Sequence, residues 1–149
     1  MLGNIRSLKT PKSLRGYSIR NLVTHTKALG YYLAEQNVKT NQVRKFLDAI
    51  NRVKAELRQE DSISLDKLEV ELQVLKPKLA YAVGRSDKRE RPALDSFSQV
   101  ISAAIDSITR VDLIKTEEDK ERFREDFYHL VYLIESVIAY HKAAGGRNQ

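Results

Sequence analysis

Leu65-Asp-Lys-Leu68-Glu-Val-Glu-Leu72-Gln-Val-Leu75-Lys-Pro77-Lys-Leu79-Ala-Tyr-Ala82 is the stretch that decides the fold. Its leucines and last alanine recur at intervals of three, four, three, four and three residues. That rhythm draws a narrow apolar seam along an α-helix, the kind that packs helix on helix. Pro77 sits inside it. Proline removes one backbone hydrogen bond and clashes with the carbonyl four residues back, so a kink is predicted near Gln73. The seam keeps phase across the proline, which predicts one bent helix over 64–85 and not two.

The same period continues outward on both sides. Upstream, a helix is predicted from Ser18 to Gln36 with Ile19, Leu22, Val23, Leu29 and Leu33 inward. A second starts at Thr40, a good N-cap, with Val43, Phe46, Leu47, Ile50, Val53 and Leu57 at spacings of three and four. Its opposite face carries Arg44, Lys45, Asp48 and Arg52. Downstream, a charged loop over 86–92 precedes a helix from Leu94 to Ile108, with Phe97, Ile101, Ala104, Ile105 and Ile108 inward.

The last helix begins after Thr116, whose hydroxyl and Asp119 have capping-box spacing, and stops at Gly145-Gly146. About 27 residues long, it spans roughly 40 Å. Phe123, Phe127, Leu130, Val131, Ile134, Val137 and Ile138, joined by Tyr128, Tyr132, Leu133 and Tyr140, make an apolar arc wider than one stripe. A central place in the bundle explains that arc, and a second surface for a neighbouring subunit is the alternative. No segment alternates like a strand. The fold class is therefore all-α: a single five-helix bundle over 18–146, preceded by a flexible basic arm over 1–17 and followed by a tail over 147–149.

At 149 residues the chain fits one domain with an adequate core. It has no cysteine, which excludes disulfides and thiolate metal sites and permits a reducing cytoplasm. Its apolar runs fall far short of the ~20 residues a membrane span needs, so no membrane partner is expected. The charge is placed unevenly. Residues 1–58 hold twelve Lys or Arg against three acids, a balance of +9, while residues 59–149 hold fourteen against seventeen, a balance of −3. Such asymmetry points to a polyanion, nucleic acid first.

Little in the chain suggests catalysis. The glycines form no phosphate-binding loop after a strand. The best approach to a bundle metal motif is a lone Asp126-x-x-His129, half of a site, so neither metal nor cofactor is expected. Arg20-Asn-Leu-Val-Thr-His25 resembles the Arg-x4-His motif of HEPN ribonucleases, in which imidazole moves a proton and guanidinium steadies phosphorane charge. Arg124-x4-His129 repeats the spacing. With thirteen arginines and three histidines, chance alone supplies about one such pair. The expectation is no enzyme, with a HEPN-like ribonuclease acting through Arg20 and His25 as the alternative.

The basic residues make the better pattern. Arg44, Lys45 and Arg52 mark the second helix, Lys76, Lys78 and Arg85 the third, and Lys88 and Arg89 the loop after it. Lysines and arginines spread over helix faces with few exposed aromatics suit contact with a phosphate backbone more than base reading.

Three stretches resemble the small subunit of the type III-A CRISPR–Cas effector, the Csm complex. They are Thr40-Asn-Gln-Val-Arg-Lys-Phe46, Leu75-Lys-Pro-Lys-Leu-Ala-Tyr-Ala-Val-Gly-Arg85, and the run from Phe127 to Gly146. Together they cover about residues 38–146, and the first 37 have no counterpart in the resemblance. It implies a helical-bundle subunit present in several copies, stacked head to tail opposite the backbone subunits that carry the guide RNA. It further implies no nuclease site here, RNA cleavage belonging to the backbone subunit and DNA cleavage to the large subunit. Guide RNA, target RNA and the other Csm subunits are the implied partners. Arg44 and Arg85 match the family's arginines in their stretches.

Overall fold

The leucine seam is the inner edge of a continuous helix, Leu65–Arg85, in the computed structural model, which describes residues 14–58, 65–108 and 110–146. Leu68, Leu72, Leu75, Leu79 and Ala82 are all buried along it, and Pro77 interrupts neither the helix nor the seam. Among the described residues five helices make the fold: α1 (Ile19–Glu35), α2 (Thr40–Arg58), α3 (Leu65–Arg85), α4 (Arg91–Asp106) and α5 (Glu117–Ala143). Short 3-10 turns lie at Leu14–Gly16 and Val111–Leu113, and no strand occurs among the described residues. The all-α bundle is as expected.

The last helix, α5, is the axis of the assembly. It packs against α1 most extensively and also against α2, α4 and the first 3-10 turn, while α3 lies on α4 and α2. Its wide arc follows from that central place: Phe123, Phe127, Leu130, Val131, Leu133, Ile134, Val137 and Ile138 are all buried. Tyr128 and Tyr132 stay exposed.

Helix ends follow local chemistry. Thr116 Oγ1 accepts the Asp119 N–H (3.1 Å), and Asp119 Oδ2 accepts the N–H of Thr116 (3.2 Å) and of Lys115 (2.9 Å). These bonds, that from Lys115 foremost, hold the Asp119 carboxyl below the usual aspartate range. A depressed acid stabilises the fold above its unfolded pKa and loses that contribution as pH falls through the folded value. Asp119→Asn should therefore melt below wild type at neutral pH, with the gap closing on acidification. Thermal melts at pH 7 and pH 3 measure this, and a gap that persists in acid counts against it.

At the other end of α5, Gly145 takes a positive φ of 87°. Its N–H bonds to the Lys142 carbonyl (3.0 Å) and that of Gly146 to the His141 carbonyl (2.9 Å), a complete Schellman turn. Asn37 (φ 63°) ends α1 in the same way, with Val38 bonding back to the Leu33 carbonyl (3.0 Å).

Four boundaries or faces differ from expectation. Thr40 is already helical and its buried hydroxyl makes no hydrogen bond among the described residues; Gln42 Oε1 reaches back instead to accept the Lys39 N–H (2.7 Å) ahead of the helix. Helix α4 starts at Arg91, three residues early, because Pro92 fits a first turn whose N–H groups need no helical partner. On α1, Ile19 is exposed, and Thr26 and Gly30 join Leu22, Leu29 and Leu33 inside. Thr26 enters an apolar layer because its hydroxyl donates to the Leu22 carbonyl (2.8 Å), leaving no polar atom unpaired.

The fourth difference concerns the basic arm. Residues 1–13 lie outside the described residues, but Leu14 and Tyr17 are buried. Asp126, 0% exposed on α5, accepts the Arg15 backbone N–H (2.9 Å) and pairs with its guanidinium (3.2 Å). The packed bundle thus already includes Leu14, four residues before the expected start, because a buried carboxylate needs those donors.

Candidate nucleic-acid interface

Helices α2 and α3 lie side by side, and the groove between them collects most of the expected basic residues. Residues seven apart on a helix return to nearly the same direction. Lys45 and Arg52 therefore share one edge of α2, and Lys78 and Arg85 share one edge of α3. Lys45, Arg52 and Lys78, with the one acid Asp48, line an open groove of about 500 Å³ whose apolar floor is Phe46, Ala49, Leu75 and Pro77, with Tyr81 at its mouth. A second concavity continues from Lys45 to Arg85, past Asn41, Gln42 and Ser86. Lys45 is the hinge between the two.

The turn after α3 is fixed to the start of α2. Gln42 Nε2 donates to Glu90 Oε2 (2.8 Å), and Glu90 is buried. Arg91 Nη2 donates to the Ser86 carbonyl (2.8 Å), closing the same turn. These bonds hold the exposed Lys88 and Arg89 at the Arg85 end of the groove. Arg85 does not cap carbonyls; its guanidinium lies 5.5 Å from the centre of the Tyr81 ring.

The charge on this face is only partly offset within the chain, by Asp48 in the groove and by Glu71, on whose carboxyl Arg52 acts. Among the described residues, no carboxylate comes within ion-pairing distance of Arg44, Lys45, Arg52, Lys78, Arg85, Lys88 or Arg89. Several cations on other faces are matched: Arg122 with Glu118 (2.6 Å) and Asp119 (3.3 Å), Lys120 with Glu117 (3.1 Å), Arg110 with Asp112 (2.8 Å). The basic surface ends near the far end of α2, where burial and the neighbouring Glu56 carboxylate push Glu71 up.

Two expected residues stand apart. Lys76 is two positions from Lys78 and so points about 160° away around the axis. It pairs with Asp106 of α4 and lines a different depression. Arg44 is exposed on α2 but does not line the groove. Tyr81 is the residue that sequence reasoning left out of the site, although it is 65% exposed, the most exposed large apolar side chain among those described.

The Arg-x4-His pairs do not assemble into a phosphate site on one chain. Five residues separate Arg20 from His25, about 140° around α1. His25 Nδ1 shares a hydrogen bond with the Tyr17 hydroxyl, and burial holds the imidazole below its ordinary pKa. His129 Nδ1 is engaged by the Glu125 carbonyl (2.9 Å). Among the described residues no three His, Asp or Glu come together to hold a metal ion, and no helix is long and apolar enough to cross a membrane.

A search of curated proteins and of solved structures finds nothing that matches the chain. The family model described as Csm2 Type III-A matches residues 16–147, so the family likeness begins at the packed 3-10 turn and takes in α1, well before residue 38. With nearly the whole bundle inside that match, the chain belongs to the Csm2 family, the small subunit of the type III-A CRISPR effector complex.

Proposed function

We propose that this subunit holds RNA without cutting it. The α2–α3 face grips the sugar–phosphate backbone of the guide–target duplex as the protein repeats along a cytoplasmic effector. One observation carries the reading: six lysines and arginines (Lys45, Arg52, Lys78, Arg85, Lys88 and Arg89) gather around one groove and the turn at its end without an ion pair among the described residues, against one acid, Asp48, in the groove lining. Unpaired cations on one face suit a partner that brings its own negative charge. Sequence is read by guide–target pairing, so such a face needs only backbone and A-form shape. Repetition along a duplex calls for two different complementary surfaces that do not close a ring. The exposed Tyr128 and Tyr132 of α5 are the candidate for one of them.

Filter binding of the full-length protein to unrelated RNA sequences, single-stranded and duplex, tests the reading. Affinity should be independent of sequence and fall with salt, the log–log slope gaining ~0.7 for each phosphate engaged on a single strand. A flat salt dependence would overturn it.

A further inference from the structure

We infer that the α2–α3 groove takes an unpaired nucleotide, its base stacked on Tyr81 and its phosphates held by the surrounding cations. This rests on the RNA-holding reading above and adds a base-dependent contact to it. The deciding observation is that Tyr81 leaves 65% of its surface in solvent at the mouth of a groove floored by Phe46, Leu75 and Pro77. A tyrosine ring on a helix face gains nothing from water and usually finds cover. Here the Arg85 guanidinium lies 5.5 Å from the ring centre and leaves most of the side chain in solvent.

Gly84 is the second, independent observation. Glycine inside a helix costs about 1 kcal/mol relative to alanine, yet a Cβ at Gly84 would meet nothing within 4 Å. Packing inside the chain therefore does not require it. Helical side chains lean toward the N-terminus and cover the turn before their own Cα. A side chain at position 84 would lie over position 81, so glycine keeps the ring bare. Its use is explained if something flat must reach Tyr81.

The charge around the ring selects what that is. Lys78 and Arg85 lie one turn to either side of Tyr81 on the same edge of α3, with Lys45 and Arg52 across the groove. An aromatic face among unpaired cations fits a base with its phosphates; stacking is sequence-tolerant because every base has a π-face. A peptide would need donors and acceptors paired along the apolar floor, and a duplex held on this face could offer the ring only a nucleotide turned out of its stack.

Titration of full-length protein with an abasic ribose-phosphate strand carrying one central 2-aminopurine, beside the same strand wholly abasic, tests this. Stacking on Tyr81 should quench the fluorophore. Tyr81→Ala should abolish the quench and weaken binding of the 2-aminopurine strand about tenfold, from the measured range for one stacked base. It should leave the abasic strand unaffected. Tyr81→Phe should retain both effects. Gly84→Leu should melt no lower than wild type yet lose the quench, which separates covering the ring from damaging the fold. If Tyr81→Ala changes neither strand, or both equally, the inference fails while the basic face stands. If Arg52→Gln and Lys78→Gln leave both strands' affinities and salt slopes untouched, the RNA-holding reading fails first.

Discussion

Changing Lys45, Arg52, Lys78 and Arg85 together to glutamine should weaken single-stranded RNA binding about a thousandfold at roughly 0.1 M salt. Each cation that meets a phosphate adds ~0.7 to the log–log salt slope, so losing four lowers the slope by about 3. One decade below molar salt, where that contribution vanishes, the affinity falls by about three decades. The four side chains line the groove or its extension and make no ion pair among the described residues, so the fold should tolerate their loss. Surface changes of this kind typically move stability by less than ~0.5 kcal/mol each. Lys76→Gln is the internal control. Its ammonium is already engaged by Asp106, so the slope should not move. Equal slopes for wild type and the fourfold variant would sink the assignment of this face to RNA.

The control also marks where reading the chain stops short. Lys76 and Lys78 are neighbours in sequence, and only helical phase separates them. That phase is legible, since 78 and 85 repeat at seven residues while 76 falls on the far side. What is not legible is Asp106, thirty residues on, which engages Lys76. The groove itself is invisible in sequence because it exists only once α2 and α3 lie together. Tyr81 shares the outer phase of 78 and 85, but nothing local says that its ring borders a groove.

The fold reads more easily, for a physical reason. Leu65 to Ala82 and Phe123 to Ile138 bury one continuous face, so hydrophobic period reports them directly. The exceptions are residues whose burial depends on distant or polar partners. Leu14 and Tyr17 are isolated apolar residues in a basic stretch with no period. They are buried because the Leu14 N–H reaches the Ser107 carbonyl (2.9 Å) and Arg15 reaches Asp126. Thr26 is polar but bonds to its own helix, which no hydropathy pattern marks. The start of α4 hides inside a run of charges, where Arg91 and Pro92 resemble loop yet suit a first turn.

Gly30 and Gly84 make the same point through stability, because alanine at the two should act with opposite sign. Both lie inside helices, so both substitutions gain up to about 1 kcal/mol of helix propensity. At Gly84 the new methyl meets open space, and the variant should be stabilised by about 0.5–1 kcal/mol. At Gly30 a Cβ would fall 2.7 Å from the Val137 carbonyl oxygen and 2.8 Å from the His141 nitrogen. Those are backbone atoms of α5 and cannot swing aside, so α1 must be lifted from the helix it packs against most. The same movement strains the bond between His141 Nε2 and the Val38 carbonyl (2.6 Å), which ties the C-terminal ends of α1 and α5 together. Overpacking of this kind costs ~1–3 kcal/mol and sometimes more. Set against the propensity gain, Gly30→Ala should be destabilised by about 1 kcal/mol, a fall in Tm of roughly 2–4 °C for a chain of this size. Urea denaturation of both variants measures the difference. A Gly30→Ala protein as stable as Gly84→Ala would mean that α1 does not lie this close to α5, and the bundle's tightest contact would have to be redrawn.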